Sequence, residues 1–142
     1  MKRASELAAL SREHHHSLRL AKRCLDTLAS GDEKALRALC REIAADFDTT
    51  WERHFADEEA VIFSVTDTLD GEIRELGRRL VAEHDRMREL ARRMAQGDCS
   101  GLESFGRLLR DHTRLEERRL FPLVERSFTP EQLAAVARRT GA

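Results

Sequence analysis

LRALCREIAADFDTTWERHFADEEAVIFSV, residues 36–65, decides the fold. It runs thirty residues without a glycine or proline, several times the length of an ordinary strand. Leu36, Leu39, Ile43, Phe47 and Trp51 recur at steps of three and four, the period of one helix face, and Ile62 and Val65 extend the stripe. His54 continues that stripe, and Glu58 follows it one turn later. A helix this long that points polar groups toward its apolar side needs both packing partners and a reason for the polar groups.

The partners lie on either side. From Ser5 to about Ala29, Leu7, Leu10, Leu18, Ala21, Leu25 and Leu28 form a second stripe. Ser30–Gly31–Asp32–Glu33 breaks the two helices apart, and Ser30 with Glu33 has capping-box spacing for the helix that follows. After a second break from Thr66 to Gly71, Ile73, Leu76, Leu80, Met87, Leu90 and Met94 mark a third helix. It ends at Gln96–Gly97–Asp98, where glycine suits a left-handed cap. A fourth runs from about Gly101 to Phe121, and Pro122 is expected to disrupt it near its end. Thr129–Pro130–Glu131 reads as the start of a short last helix ending near Arg139. Short connections between helices of similar length predict an all-α chain, an up-down-up-down four-helix bundle with a short C-terminal helix, in a single domain spanning residues 1–142.

Composition agrees and narrows the function. The 142 residues are 41% hydrophobic and 36% charged, with only seven glycines and two prolines, which favours helix over sheet. Twenty-five Lys and Arg are interspersed with 26 Asp and Glu, leaving no basic footprint for nucleic acid. No apolar run approaches the roughly 18 residues of a membrane helix. The N-terminus has no apolar core of a secretory signal, so a cytoplasmic location is expected. Cys24, Cys40 and Cys99 form no CxxC pair and read as small buried hydrophobes, with a zinc ribbon or disulfide framework not expected. The chain has no tyrosine, which excludes a phenolate ligand or a tyrosyl radical.

The histidines carry the chemistry. His14, His54, His84 and His112 fall on the apolar stripes of four different helices, whereas His15 and His16 point off the first stripe. One core histidine is ordinarily a packing residue with its hydrogen bonds satisfied. Four without a common partner would each lose hydration worth about 1–3 kcal/mol. Two are followed by a glutamate four residues later, His54–Glu58 and His112–Glu116, so that nitrogen and oxygen share a helix face. Buried carboxylates need a cation or a charge partner, and no Lys or Arg occupies these central levels of the stripes. A metal satisfies all six groups at once. Imidazole with carboxylate and no thiolate suits iron, manganese or zinc, and two carboxylates able to bridge suit a two-metal centre. Counting from the turns puts His54, His84 and His112 at one level. The first turn is uneven, with His14 sixteen residues before Ser30 and His54 twenty-four beyond it.

LSREHHHSL (10–18), WERHFADEEAVIF (51–63), LVAEHDRM (80–87) and HTRLEERRLFP (112–122) together resemble the hemerythrin-like, or HHE cation-binding, family of non-haem di-iron four-helix bundles. The resemblance implies that His14, His54, Glu58, His84, His112 and Glu116 are iron ligands, with Glu58 and Glu116 bridging. It implies a cofactor of two iron ions, with manganese or zinc as alternatives, and a small diatomic or peroxide ligand such as oxygen, peroxide or nitric oxide. A redox partner is compatible with that role. Oxygen-carrying members place a second histidine one turn from the first on the third helix, but here Leu80 and Arg88 flank His84. This departure argues against reversible oxygen carriage and leaves His15, Glu13 and Glu83 as candidate seventh ligands. The alternative is a metal-holding or sensing protein without turnover.

Overall fold

The computed structural model describes residues 3–141, and every regular element among them is helical. After a short 3-10 turn at Ser5–Leu7 come α1 (Ala8–Ser30), α2 (33–66), α3 (Glu72–Ala95), α4 (102–127) and a short α5 (Pro130–Thr140). None of them is long and apolar enough to cross a membrane.

Apolar periodicity placed these helices well, and their ends follow local chemistry. Gly31 and Gly97 both adopt positive φ where α1 and α3 stop. The start of α2 differs from expectation: Asp32, not Ser30, is the N-cap, its carboxylate accepting a 3.1 Å hydrogen bond from the Ala35 amide. Ser30 instead closes α1 and accepts from the Asp32 amide. Thr129 forms the full capping box with Gln132 at the start of α5.

Pro122 does not end the fourth helix, which continues to Ser127. A π-helical turn at Glu116–Leu120 precedes it, so the proline falls in the first turn of a renewed α-helical segment, where its missing N–H costs least. Two more π turns, Phe47–Glu52 and Glu59–Phe63, lie within α2 on either side of His54 and Glu58.

The core is layered. Leu20, Ala21 and Cys24 of α1 join Leu39 to Phe55 of α2, Met87 to Met94 of α3 and Leu102 to Leu109 of α4 in one apolar cluster. Leu7, Leu10, Ile62, Phe63, Leu80, Leu120 and Phe121 belong to a second, to which α5 adds Val136. Along α1, α3 and α4 the histidine or histidine–glutamate pair falls between the two clusters in sequence, and in α2 His54 and Glu58 flank Phe55, that helix's last member of the first cluster. α1 packs far more closely on α4 than on α2. Gly106 of α4 permits that approach, since a Cβ there would lie 2.8 Å from the Cβ of Cys24.

Cys40 of α2 and Cys99 of the α3–α4 turn form a disulfide across 59 residues, with Cα atoms 6.1 Å apart. This corrects the reading of all three cysteines as unpaired hydrophobes. Packing of α2 against α3 brings the two together, and spacing in the sequence cannot show it. Cys24 remains a buried free thiol, its pKa pushed up to about 12 by burial.

Candidate metal centre

Each of α1–α4 sends one imidazole into the layer between the apolar clusters. His14, His54, His84 and His112 are all buried, and Glu58 and Glu116 are completely so. The structure brings all six residues together. His14, His54, Glu58 and Glu116 form one group able to hold a metal ion; Glu58, His84, His112 and Glu116 form the other. Within each group one donor atom per residue lies within 4.8 Å of every other. The glutamates belong to both groups and each histidine to one.

The uneven first turn therefore does not keep His14 away: its Nε2 lies 3.2 Å from Nε2 of His54. The π turn at Phe47–Glu52 absorbs about one of the extra residues before His54, and α1 packs mainly on α4 rather than on α2.

Individual contacts show how the atoms converge. Glu58 Oε2 lies 3.6 Å from His14 Nε2 and 3.5 Å from His54 Nε2, while its Oε1 lies 3.1 Å from His84 Nε2. Glu116 Oε1 lies 3.0 Å from His14 Nε2 and 3.4 Å from His112 Nε2. Even at these distances Glu58 Oε2, both Glu116 oxygens and His112 Nε2 have no hydrogen-bond partner. Buried polar atoms are ordinarily paired. Atoms that approach one another without hydrogen-bond directionality, their lone pairs turned to a shared space, are the arrangement a cation requires. The donor set of imidazole and carboxylate fits iron, manganese or zinc.

In the metal-free chain protons serve the same electrostatic purpose. Burial alone would push each imidazole pKa down, and the facing carboxylates overcome it. Glu116, Glu117 and Glu58 hold His14 well above its ordinary range. Glu58 and Glu13 push His54 up to about 9, Glu116 and Glu83 push His112 up to about 10, and His84 is raised beside Glu58 and Glu59. Reciprocally, burial opposes ionisation of Glu58, but His54, His14 and His84 keep it well below the usual carboxylate range.

The outer nitrogen of every ring also meets a carboxylate. His14 Nδ1 lies 2.6 Å from Glu117, His54 Nδ1 2.8 Å from Glu13, His84 Nδ1 2.8 Å from Glu59 and His112 Nδ1 2.9 Å from Glu83. Glu13 and Glu83 are thus engaged with histidines rather than directed among the ligands, and His15 is exposed with His16. None of the three candidate seventh ligands reaches the cluster. Sequence reasoning named Glu13 and Glu83 in another role and missed Glu59 and Glu117, although a signal for the set was present. Each is the immediate neighbour of an inward residue: Glu13–His14, Glu58–Glu59, Glu83–His84 and Glu116–Glu117.

Aromatic rings close the layer. Phe55 stacks on His84 at 4.1 Å between centroids, Phe63 meets the same imidazole edge-on, and Phe121 stacks on His14. Trp51 and Phe47 pack in the adjoining apolar cluster. Between α1 and α2 a cavity of about 50 Å³, lined by Glu13, His16, Thr50, Trp51 and His54, lies beside the ring of His54.

The hemerythrin HHE cation-binding domain matches residues 5–124. The chain belongs to that family. The match runs through all six clustered residues and stops before α5. No characterised protein and no solved structure is similar enough to this chain to count as a match. Membership of a cation-binding family and two groups of His and Glu able to hold a metal point to metal binding from independent directions.

Proposed function

We propose that this hemerythrin-like chain is a non-haem di-iron protein that binds or reacts with a small ligand, oxygen, peroxide or nitric oxide. His14 and His54 would hold one iron, His84 and His112 the other, with Glu58 and Glu116 bridging the pair. The observation that carries the reading is the pair of shared, fully buried carboxylates whose oxygens include three without a hydrogen-bond partner. We further read residues 1–142 as a single domain with α1–α4 in up-down-up-down order. The order of the layers supports this, because it reverses from each helix to the next.

An iron pair held here would supply redox chemistry toward a small ligand, and each group would offer its metal two histidines and two shared carboxylates. The chain's own residues do the rest. The imidazoles present Nε2 inward, Glu58 and Glu116 would balance the cationic charge, and Phe55, Phe63 and Phe121 pack against the imidazoles and shield the layer. Deep burial equally favours the second reading, a metal-holding or sensing protein without turnover. Oxygen consumption by the loaded chain separates the two.

The deciding experiment is reconstitution with ferrous iron under anaerobic conditions, followed by metal analysis and near-ultraviolet and visible absorption after oxidation. Two irons per chain with ferric charge-transfer absorption are expected. Glu58→Gln should lower occupancy at both positions, whereas His54→Ala should spare the iron held by His84 and His112. A chain that stays folded and takes up no iron overturns the proposal.

A further inference from the structure

The carboxylates behind the histidines follow an order that their sequence positions do not suggest. Glu13 of α1 meets His54 of α2; Glu59 of α2 meets His84 of α3. Glu83 of α3 meets His112 of α4; Glu117 of α4 returns to His14 of α1. None of these four glutamates serves the histidine of its own helix. The four contacts make a closed circuit around the bundle, each helix holding the imidazole of the next.

An arginine backs every member of the circuit. Arg53 pairs with Glu13, Arg88 lies 2.9 Å from Glu59, and Arg79 lies 3.2 Å from Glu83. Arg3 lies 3.7 Å from the Glu117 carboxylate and donates to its backbone carbonyl at 2.8 Å. Ser11 donates to Glu117 as well. Arg88 is further fixed by two hydrogen bonds to Glu52 and by its position over the Phe55 ring.

A separate observation in the sequence supports the circuit as a built feature. Leu10, Glu13, His14, Leu20 and Ala21 recur seventy residues later as Leu80, Glu83, His84, Leu90 and Ala91. Phe47, His54, Glu58, Glu59 and Phe63 recur fifty-eight residues later as Phe105, His112, Glu116, Glu117 and Phe121. Under this two-fold correspondence Glu13→His54 maps onto Glu83→His112, and Glu59→His84 maps onto Glu117→His14. The Phe63–His84 contact maps onto Phe121–His14. Chance surface pairing would not repeat in both halves.

We propose that Glu13, Glu59, Glu83 and Glu117 are positioning residues that form a closed relay, each accepting a hydrogen bond from Nδ1–H of the histidine on the next helix and thereby turning its Nε2 to the metal. The arginines orient the carboxylates, and a neutral imidazole held in one tautomer is the form that binds a metal. The proposal rests on the di-metal reading and adds the wiring that prepares it.

The test uses the full chain loaded with zinc, with ¹⁵N-labelled imidazoles observed by NMR. Wild-type protein should show four Nδ1–H resonances, all on rings bound through Nε2. Glu13→Gln should displace or broaden the His54 resonance and leave that of His14, its sequence neighbour, in place. Glu83→Gln should act on His112 and not His84. Zinc affinity should fall about 10–100-fold for each variant, as loss of an outer-shell partner typically produces. Arg53→Gln, at a half-exposed position that does not threaten folding, should perturb His54 in the same sense but less. Variants that match wild type in zinc affinity and resonances, or that perturb the adjacent histidine, overturn the relay alone. Wild-type protein that binds no zinc overturns the metal reading and the relay with it.

Discussion

Removing the metal should leave a protein whose stability falls as the solution becomes alkaline, and the site sets the window. A histidine whose folded pKa lies above its unfolded value contributes stability that is fully present below the unfolded pKa, near 6.5, and is lost as pH rises through the folded value. His54 is pushed up to about 9 and His112 to about 10, so the loss begins near pH 6.5 and is complete near pH 10. A tenfold change in proton affinity is about 1.4 kcal/mol, which makes each histidine worth on the order of 3–5 kcal/mol across that range. The two draw chiefly on different carboxylates, Glu58 and Glu116. Glu58 works the other way: its pKa is depressed on folding, so its contribution is present above the ordinary carboxylate range and lost on acidification. Metal-free protein should therefore be most stable from about pH 5 to 6.5. Urea denaturation of chelator-treated protein between pH 5 and 10 measures this, and the midpoint should decline steadily above pH 6.5. Loaded protein should lack the decline, because metal displaces the protons and binds more tightly as pH rises. A midpoint that is flat or rising from pH 6.5 to 10 in the metal-free chain would refute the reasoning.

Three further perturbations probe the surroundings of the site. Phe55→Ala removes a fully enclosed ring stacked on His84 and should cost about 3–5 kcal/mol in denaturant titration, with weaker zinc binding at the His84–His112 position. Gly106→Ala gains about 1 kcal/mol of helix propensity but drives a Cβ against Cys24, and overpacking of about 1–3 kcal/mol should make the variant less stable by thermal melting. Thr129→Ala removes the capping box of α5 and should cost about 1 kcal/mol, read as faster amide exchange in α5 with metal binding unchanged.

Much of this was legible in the chain. Apolar periodicity gives five helices and their breaks, because a buried face demands side chains at fixed angular intervals. The clustering of His14, His54, Glu58, His84, His112 and Glu116 could be expected, because polar groups on apolar stripes must meet a common partner. Finer features depend on choices that the residues leave open. Ser30 and Asp32 both offer a capping oxygen, and only the turn geometry selects Asp32. The π turns had a signature that an α-helical period hides. His112, Glu116, Leu120 and Val124 are all four apart, as are Glu58, Ile62 and Thr66, and all of them are buried. Four-residue steps drift around an α-helix by about 40° each, and a slower-winding π turn restores them to one face. The Cys40–Cys99 bond and the outward glutamates are long-range facts, set by which helices lie side by side.

The division of the ligands has a consequence for how damage to the site would spread. In the proposed centre each histidine would answer to a single metal position, since each belongs to one of the two groups able to hold a metal, and both histidines of a group come from the same half of the repeat. An oxidised or mutated imidazole is thus a local fault that leaves the opposite position with its own pair intact. Glu58 and Glu116 have no such insulation: one comes from each half, and each serves both positions. The weak points of the centre are its two shared carboxylates, where one lesion is felt twice.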